Sequence, residues 1–194
     1  MTADGTPGAL QPLTDAERSA LLRLARRSIA GAVGTDSAPI GDESIRTPAL
    51  QAPGAAFVSL HRDHSLRGCV GTLSADRPLY ETVAAMAVAA AVGDPRFDPL
   101  TAAELHGVRI EISRLGPLVP AQPEQVVVGV HGVSITVASR HAVYLPQVAV
   151  TQGWTRERLL RELCLKAYLP PDAWVAADAI LYVFVAEVFA DTAG

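Results

Sequence analysis

The order of the helix and strand patterns is the feature that most restricts the fold of this 194-residue chain. Residues 57–61 and 66–71 predict two strands of a hairpin, and residues 108–112 alternate apolar and charged side chains like a half-buried strand. Residues 180–189 form an almost wholly apolar, β-favouring run that is typical of a central strand. Helical patterns separate these strands at irregular intervals. We therefore predict an α+β fold with a mainly antiparallel sheet flanked by helices, and not a parallel doubly wound sheet.

The start of the folded region is marked by a capping box. Thr14 and Glu17 have the spacing that lets each satisfy a backbone donor of the other at a helix start. Residues 1–13 are small and polar with two prolines, and predict a flexible N-terminal tail. The remainder, residues 14–192, is expected to form one domain of ordinary size.

Three further segments carry weaker patterns. Residues 34–54 are rich in Gly and Pro without a period and predict a long loop. The Thr101–Glu104 spacing predicts a second capping box and a short helix. Residues 126–130 are rich in valine and predict a short strand.

Charge and composition exclude several classes of protein. A net charge of −4 argues against general nucleic-acid binding, which needs a basic surface. Arg outnumbers Lys 15 to 1, which we attribute to a GC-rich genome, with a bacterial source expected. The first residues predict no signal peptide, no apolar run is long enough to span a membrane, and two cysteines cannot form a disulfide framework. We therefore expect a cytoplasmic protein.

The segment Arg67-Gly68-Cys69-Val70-Gly71 is the sharpest chemical feature of the sequence. Strand alternation places Leu66, Gly68 and Val70 toward the core, and Arg67 and Cys69 on the other face. Arg67 would then favour the thiolate of Cys69, and the two glycines would admit a ligand or a backbone at close range. The alternative is a buried, inert thiol, which is the usual state of a free cysteine.

The predicted hairpin register decides whether a histidine can activate Cys69. If Leu60 pairs with Leu66, then Phe57 pairs with Cys69 and His61 lies about 13 Å from the thiol. A Cys–His dyad within the hairpin is therefore not expected. His61 and His64 lack a third nearby ligand, so we predict a solvent-facing turn and no metal site.

Three residues outside the hairpin complete the set of candidates. Glu111 faces away from the predicted core and is a candidate general base, with a solvated strand carboxylate as the alternative. Arg96, after Asp94-Pro95, could clamp an anionic group, or it could pair with Asp94 or Asp98. Cys164 shares a helix face with leucines and is predicted to be core. No phosphate-loop, dinucleotide, serine-hydrolase or iron–sulfur motif is present, so no cofactor is predicted.

Seven segments together resemble the AMMECR-one domain family, known in bacteria and archaea as protein A of the AmmeMemoRadiSam system. They are LRGCVGTL, RPL, DPRFDPL, VRIEIS, LPQVA, GW and LCLKAYLPPDAW, in the family's order, and the resemblance covers roughly residues 14–190. It implies an α+β fold with a larger and a smaller subdomain around a cleft. The motifs match Arg67, Gly68, Cys69 and Gly71, and the segment from Asp94 through Arg96 to Phe97. Tyr168 departs from the family, where Gly is usual, and is expected to alter the exit of its helix.

The resemblance leaves two functional hypotheses open. Neighbouring genes in this family encode a Memo-like protein and a radical S-adenosylmethionine enzyme, so the chain is expected to be an interaction or ligand-binding module acting with such partners. The alternative is an enzyme that uses Cys69 as a nucleophile or redox thiol on a small or nucleotide-like anionic substrate. In that case Arg67 and Arg96 would clamp the anion, and Glu111 would accept a proton.

Overall fold

The computed structural model describes residues 10–35 and 45–191. Five α-helices and eight β-strands account for most of this part of the chain. The helices are α1 (Asp15–Ala32), α2 (Pro48–Gln51), α3 (Leu79–Val92), α4 (Pro146–Thr151) and α5 (Arg156–Lys166). The strands are β1 (Ala55–Arg62), β2 (Ser65–Thr72), β3 (Arg109–Leu115), β4 (Val119–Pro120), β5 (Gly132–Val137), β6 (Arg140–Tyr144), β7 (Ile180–Phe184) and β8 (Ala186–Ala190).

The chain divides into two compact units, each with its own sheet. The larger comprises Gln11–Leu115 and the segment that begins at Glu187, and the smaller contains Gly116–Ala186. The larger unit holds a sheet of order β2-β1-β3-β8, and the smaller a sheet of order β4-β7-β5-β6. The α+β fold with antiparallel strands and two subdomains is confirmed, although there are two sheets where the sequence predicted one.

One face of the larger sheet is covered by α1 and α3. Alternate residues Val58 and Leu60 of β1 and Ile110 and Ile112 of β3 are fully buried in this core. Helix α1 packs on α3, and α3 packs on β1 and β2. The alanines of α3 permit this close approach because a methyl group keeps the helix axis near the sheet.

The smaller unit packs α5 against its sheet. Leu159, Leu160 and Leu163 of α5 are buried with Ile135 and Val183 of the sheet. Cys164 lies in this core with no exposed surface, as predicted. Burial raises the pKa of its thiol.

The end of α5 carries the residue that departs from the family pattern. Tyr168 adopts a φ of 56°, in the left-handed region that favours glycine, and its side chain is 86% exposed. The amide of Leu169 donates to the Cys164 carbonyl at 2.9 Å and closes the helix end.

The predicted register of the β1–β2 hairpin is wrong. Leu60 lies opposite Gly68, not Leu66, and Phe57 lies opposite Gly71, not Cys69. A β-bulge between Leu60 and His61 places Arg67 as the extra residue on β2, because His61 pairs with Leu66. Leu66 is therefore 40% exposed instead of facing the core.

Two predictions of local structure are also wrong. The valine run at 126–130 forms no strand, because it follows a 3₁₀ turn at Pro123–Gln125 and contains Gly129 with a φ of 83°. Thr101 donates its amide and hydroxyl to Glu104 Oε2, but the Glu104 amide donates to the Thr101 carbonyl and not to its side chain, and only a 3₁₀ turn follows at Leu105–Gly107. The predicted loop at 34–54 contains helix α2, and its residues 36–44 lie outside the described residues.

The N-terminal part of the described chain is held against the larger unit from Leu13 onward. Residues 1–9 of the predicted tail lie outside the described residues, whereas Leu13 is buried and its amide donates to Glu187 Oε1 at 3.0 Å. The Thr14–Glu17 capping box of α1 is present as predicted. Within residues 10–35 and 45–191, no helix combines the length and apolarity required to cross a bilayer.

Candidate functional site

Three polar side chains form a row across the larger sheet. Cys69 of β2 lies opposite Ser59 of β1, and Ser59 in turn lies opposite Glu111 of β3. Alternation places all three on the face opposite the core that contains Val58. The row therefore brings together two of the residues that the sequence singled out and one that it did not.

The backbone of Cys69 is bound by side chains from the loop after α3. Strand β2 is an edge strand, so one side of its backbone has no neighbouring strand. The Cys69 amide donates to Asp94 Oδ2 at 2.8 Å, and its carbonyl accepts from Arg96 Nη2 at 3.1 Å. We call these two side chains the edge clasp. They supply one acceptor and one donor to Cys69, as a neighbouring strand would.

The two members of the edge clasp also bind each other. Asp94 accepts from the Arg96 guanidinium at Nε (2.9 Å) and Nη2 (2.7 Å), and from the Arg96 amide at 3.1 Å. Hydrogen bonding from Arg96, aided by the Cys69 amide, holds the pKa of the Asp94 carboxyl well below its usual range. The Asp94 side chain is 3% exposed and that of Arg96 is 56% exposed. The ion pair that was the alternative to an anion clamp is thus confirmed.

Arg96, and not Arg67, binds Cys69 through its guanidinium. The pKa of Arg96 is raised first by its hydrogen bond to Asp94, and interaction with the Cys69 side chain contributes a smaller part. The Arg67 guanidinium instead donates to Glu104 at 3.1 and 3.2 Å and to the Asp98 carbonyl at 2.9 Å. The sequence argument assigned the role to Arg67 because it did not foresee the bulge.

Glu104 is the acceptor that holds several groups near the hairpin. It binds Arg67 and also accepts from Arg62 Nη1 at 3.1 Å and from the amide and hydroxyl of Thr101. These bonds, that of Arg67 first, lower the pKa of Glu104 to about 2. The charge of Arg67 is therefore compensated within the protein.

The two glycines of the motif are required by close approach of other groups. A Cβ at position 68 would lie 2.1 Å from the carbonyl oxygen of Ala90 in α3. A Cβ at position 71 would lie 2.1 Å from Cγ of the Phe57 ring. Close packing therefore explains why glycine stands at both positions. At Gly68 the predicted close approach of another backbone is confirmed.

The Cys69 thiol itself is partly exposed and weakly hydrogen-bonded. Ser59 Oγ donates to Cys69 Sγ at 3.3 Å, and Ser59 is only 7% exposed. Glu111 lies in the same row with a side chain 18% exposed, and Arg109 Nη2 approaches its Oε2 at 3.5 Å.

One buried histidine lies away from this site. His131 is buried in a turn of the smaller unit, where its Nδ1 accepts from the Val127 amide at 3.2 Å. Desolvation lowers the pKa of this imidazole. Across residues 10–35 and 45–191, no three His, Cys, Asp or Glu side chains are grouped closely enough to hold a metal ion.

Sequence reasoning missed Ser59 and the ionic role of Glu104. Ser59 carries a usable signal, since it is a polar residue between the buried Val58 and Leu60 and must lie on the second face. Glu104 was identified only as a cap residue, because the Thr101–Glu104 spacing predicts local hydrogen bonds and says nothing of arginines 37 or 42 residues away.

The fold and the site define an α+β protein of two antiparallel sheets whose edge strand is held by an Asp–Arg pair at a cysteine. The AMMECR1 family model matches residues 22–189, and the chain belongs to this family. A solved structure, that of uncharacterized protein PH0010 from Pyrococcus horikoshii, has a similar fold with a TM-score of 0.87 and 33% sequence identity. The alignment covers 93% of this chain and 94% of that one.

Curated relatives of similar length come from archaea. A protein of Aeropyrum pernix is 38% identical over 98% of this chain and 85% of its own length. Protein MK0488 of Methanopyrus kandleri is 38% identical over 92% of this chain and 90% of its own length. These archaeal relatives do not support the expected bacterial source.

Proposed function

We propose that the chain is a non-catalytic binding module that acts with a Memo-like protein and a radical S-adenosylmethionine enzyme. Its contact surface is formed by the edge clasp, by Cys69 and by Phe97. The family resemblance supports the choice of partners, and the geometry around β2 supports the position of the surface.

The observation that carries this proposal is the internal pairing of the charged motif residues. Arg67 is bound to Glu104, and Arg96 is bound to Asp94. An anion clamp for a small substrate needs guanidinium donors that are free to turn toward the ligand. Paired guanidiniums instead fix the loop and the edge strand in one arrangement, which favours a preformed surface for a protein partner.

The surroundings of the thiol support the same proposal. A nucleophilic cysteine requires a base or another group that generates the thiolate within hydrogen-bond reach. The contact that the sulfur makes with Ser59 Oγ is with a group that is not basic at neutral pH. The geometry therefore supports a packing and contact role for Cys69 over one in proton transfer.

One observation favours the alternative enzyme function. The Arg96 guanidinium binds the Cys69 carbonyl at 3.1 Å, so a positive charge lies at the cysteine. Under this alternative Cys69 acts as a nucleophile or redox thiol on a small or nucleotide-like anionic substrate, and Glu111 accepts the proton.

A binding experiment with three variants separates the two functions. The purified chain is tested for co-purification with the Memo-like protein and the radical enzyme encoded in the same genome. Arg96→Ala should weaken the complex at least tenfold, because it removes an exposed side chain and releases the loop from β2. Arg77→Ala is the matched control, since the Arg77 side chain is 53% exposed and forms an ion pair with the neighbouring Asp76. Cys69→Ser should bind like the unaltered chain.

The metabolite profile of a strain that carries Cys69→Ser supplies the second measurement. An unchanged profile, with binding lost only in Arg96→Ala, is the expected result. A changed profile with an intact complex would overturn the module function in favour of the enzyme. Equal loss of binding in Arg77→Ala and Arg96→Ala would also overturn it, because the contact surface would then lie elsewhere.

A further inference from the structure

The smaller unit contains a cavity that the proposed function does not use. Its volume is about 450 Å³, at the lower end of the range for small-molecule sites. The cavity opens where β4 leaves β7, because Pro120 ends that two-residue strand and Pro123 starts a 3₁₀ turn. The buried side chain of Leu181 forms part of its wall.

The lining of the cavity contains one aromatic and one ionisable side chain. Among the lining residues, Trp174 is the only aromatic one and Glu124 is the only ionisable one. The Glu124 side chain makes no hydrogen bond or ion pair with the residues that the structure describes. The lining therefore includes one carboxylate without an ion-pair partner among the described residues, and one indole ring.

The nearest arginine does not neutralise this carboxylate. Arg156 Nη1 donates to the backbone carbonyl of Glu124 at 3.0 Å, and Arg156 Nη2 lies 3.4 Å from Glu157 Oε1. The charge of Arg156 is thus balanced by Glu157, and Glu124 leaves a net negative charge at the cavity.

We propose that this cavity binds a small, planar organic cation. The indole of Trp174 would stack on the planar part of the ligand, since aromatic faces attract cations and flat apolar groups. The carboxylate of Glu124 would bind the cationic group, and Leu181 would contact the planar part. This site lies in the smaller unit and does not depend on the proposed function of the larger one.

A fluorescence titration tests the site. Trp154→Phe leaves Trp174 as the single tryptophan, and Trp154 packs edge-on against Tyr144 with ring centroids 5.4 Å apart, so an aromatic replacement preserves that contact. Benzamidine is the probe, and benzamide is the uncharged probe of the same shape. Benzamidine should change the Trp174 emission saturably and bind about fivefold more tightly than benzamide, with the difference falling as salt is raised.

Two carboxylate variants and the opposite single-tryptophan chain complete the test. Glu124→Gln should make the two probes bind equally, whereas Asp76→Asn, an exposed carboxylate of the larger unit outside the lining, should preserve the difference. Trp174→Phe should abolish the saturable change. The proposal is overturned if benzamidine gives no saturable change, if benzamide binds as tightly, or if Asp76→Asn acts like Glu124→Gln.

Discussion

Gly68 offers the most direct test of how the motif is built into the fold. The position has no left-handed φ, so alanine there meets no backbone strain, and the effect of Gly68→Ala is purely steric. The added Cβ would begin 2.1 Å from the carbonyl oxygen of Ala90, and it reaches ordinary van der Waals contact only beyond 3.4 Å. Helix α3 or strand β2 must therefore retreat by about 1.3 Å, taking contact at 3.4 Å as the target.

The energetic cost follows from which atom is displaced. Overpacking of a close-packed interior costs about 1–3 kcal/mol, and a backbone carbonyl cannot turn aside as a side chain can. We expect Gly68→Ala to lower the free energy of unfolding by about 3 kcal/mol, at the upper end of that range. Gly71→Ala meets the Phe57 ring, which can tilt, and should cost about 1 kcal/mol.

Gly107→Ala is the matched control for both variants. Its added Cβ has no neighbour nearer than 4.0 Å, so the change should be neutral or stabilise by about 0.5 kcal/mol through the unfolded chain. Urea unfolding followed by far-ultraviolet circular dichroism measures the three changes. Amide hydrogen exchange of the Ser65–Thr72 strand localises the loss, since both tryptophans lie in the smaller unit. A Gly68→Ala protein within 0.5 kcal/mol of the unaltered chain would refute the steric argument, as would equal losses in Gly68→Ala and Gly107→Ala.

Three other predictions use the same structure. Cys69 should react with iodoacetamide at least tenfold faster than Cys164, because Cys164 is fully buried and burial raises the pKa of its thiol; equal rates for the two cysteines in the folded protein would contradict this. Arg96→Gln should slow the reaction of Cys69 severalfold, and an unchanged rate would contradict that. Tyr168→Gly should raise the free energy of unfolding by about 1 kcal/mol, because it relieves a left-handed conformation, and a destabilised variant in urea would contradict this. The lowered pKa of Glu104 stabilises the folded state above pH 4.5, and that stability is lost as the pH falls from 4.5 toward 2. Glu104→Gln should reduce the fall in the free energy of unfolding over this pH range by about 1 kcal/mol, and an unchanged pH dependence would contradict this.

Local patterns predicted those elements whose stabilising contacts are close in sequence. The α1 capping box was predictable because Thr14 and Glu17 are three residues apart. The core face of β3 was predictable because Ile110 and Ile112 alternate with charged residues. Such features depend only on the periodicity of the chain.

The hairpin register was not predictable, because it depends on a bulge. Apolar alternation alone pairs Leu60 with Leu66 and buries both. The structure packs Gly68 against the carbonyl of Ala90 in α3, pairs it with Leu60, and leaves Leu66 exposed beyond the bulge at Arg67. A tertiary contact of a helix with a strand thus overrides the local pattern.

The valine run at 126–130 shows a different limit. Its residues favour β structure, yet β5 and β7 pair with each other and leave the run in a turn closed by the His131 amide and the Val127 carbonyl at 2.9 Å. Strand propensity gives the preference of a segment but not the availability of a neighbouring strand.

Two motifs that are separate in the sequence act as one assembly in the structure. Cys69 and Asp94 are 25 residues apart, yet the carboxylate of Asp94 joins the Cys69 amide to the Arg96 guanidinium. Replacement of Arg96 therefore changes the loop and the surroundings of the thiol together, so one substitution cannot assign a functional loss to either. A double-mutant cycle of Asp94→Asn with Cys69→Ser separates them, because Asn keeps an acceptor for the amide and removes the charge. If the two changes add within about 0.5 kcal/mol in partner binding, the clasp acts through the loop, and a larger coupling energy assigns the thiol a direct contact.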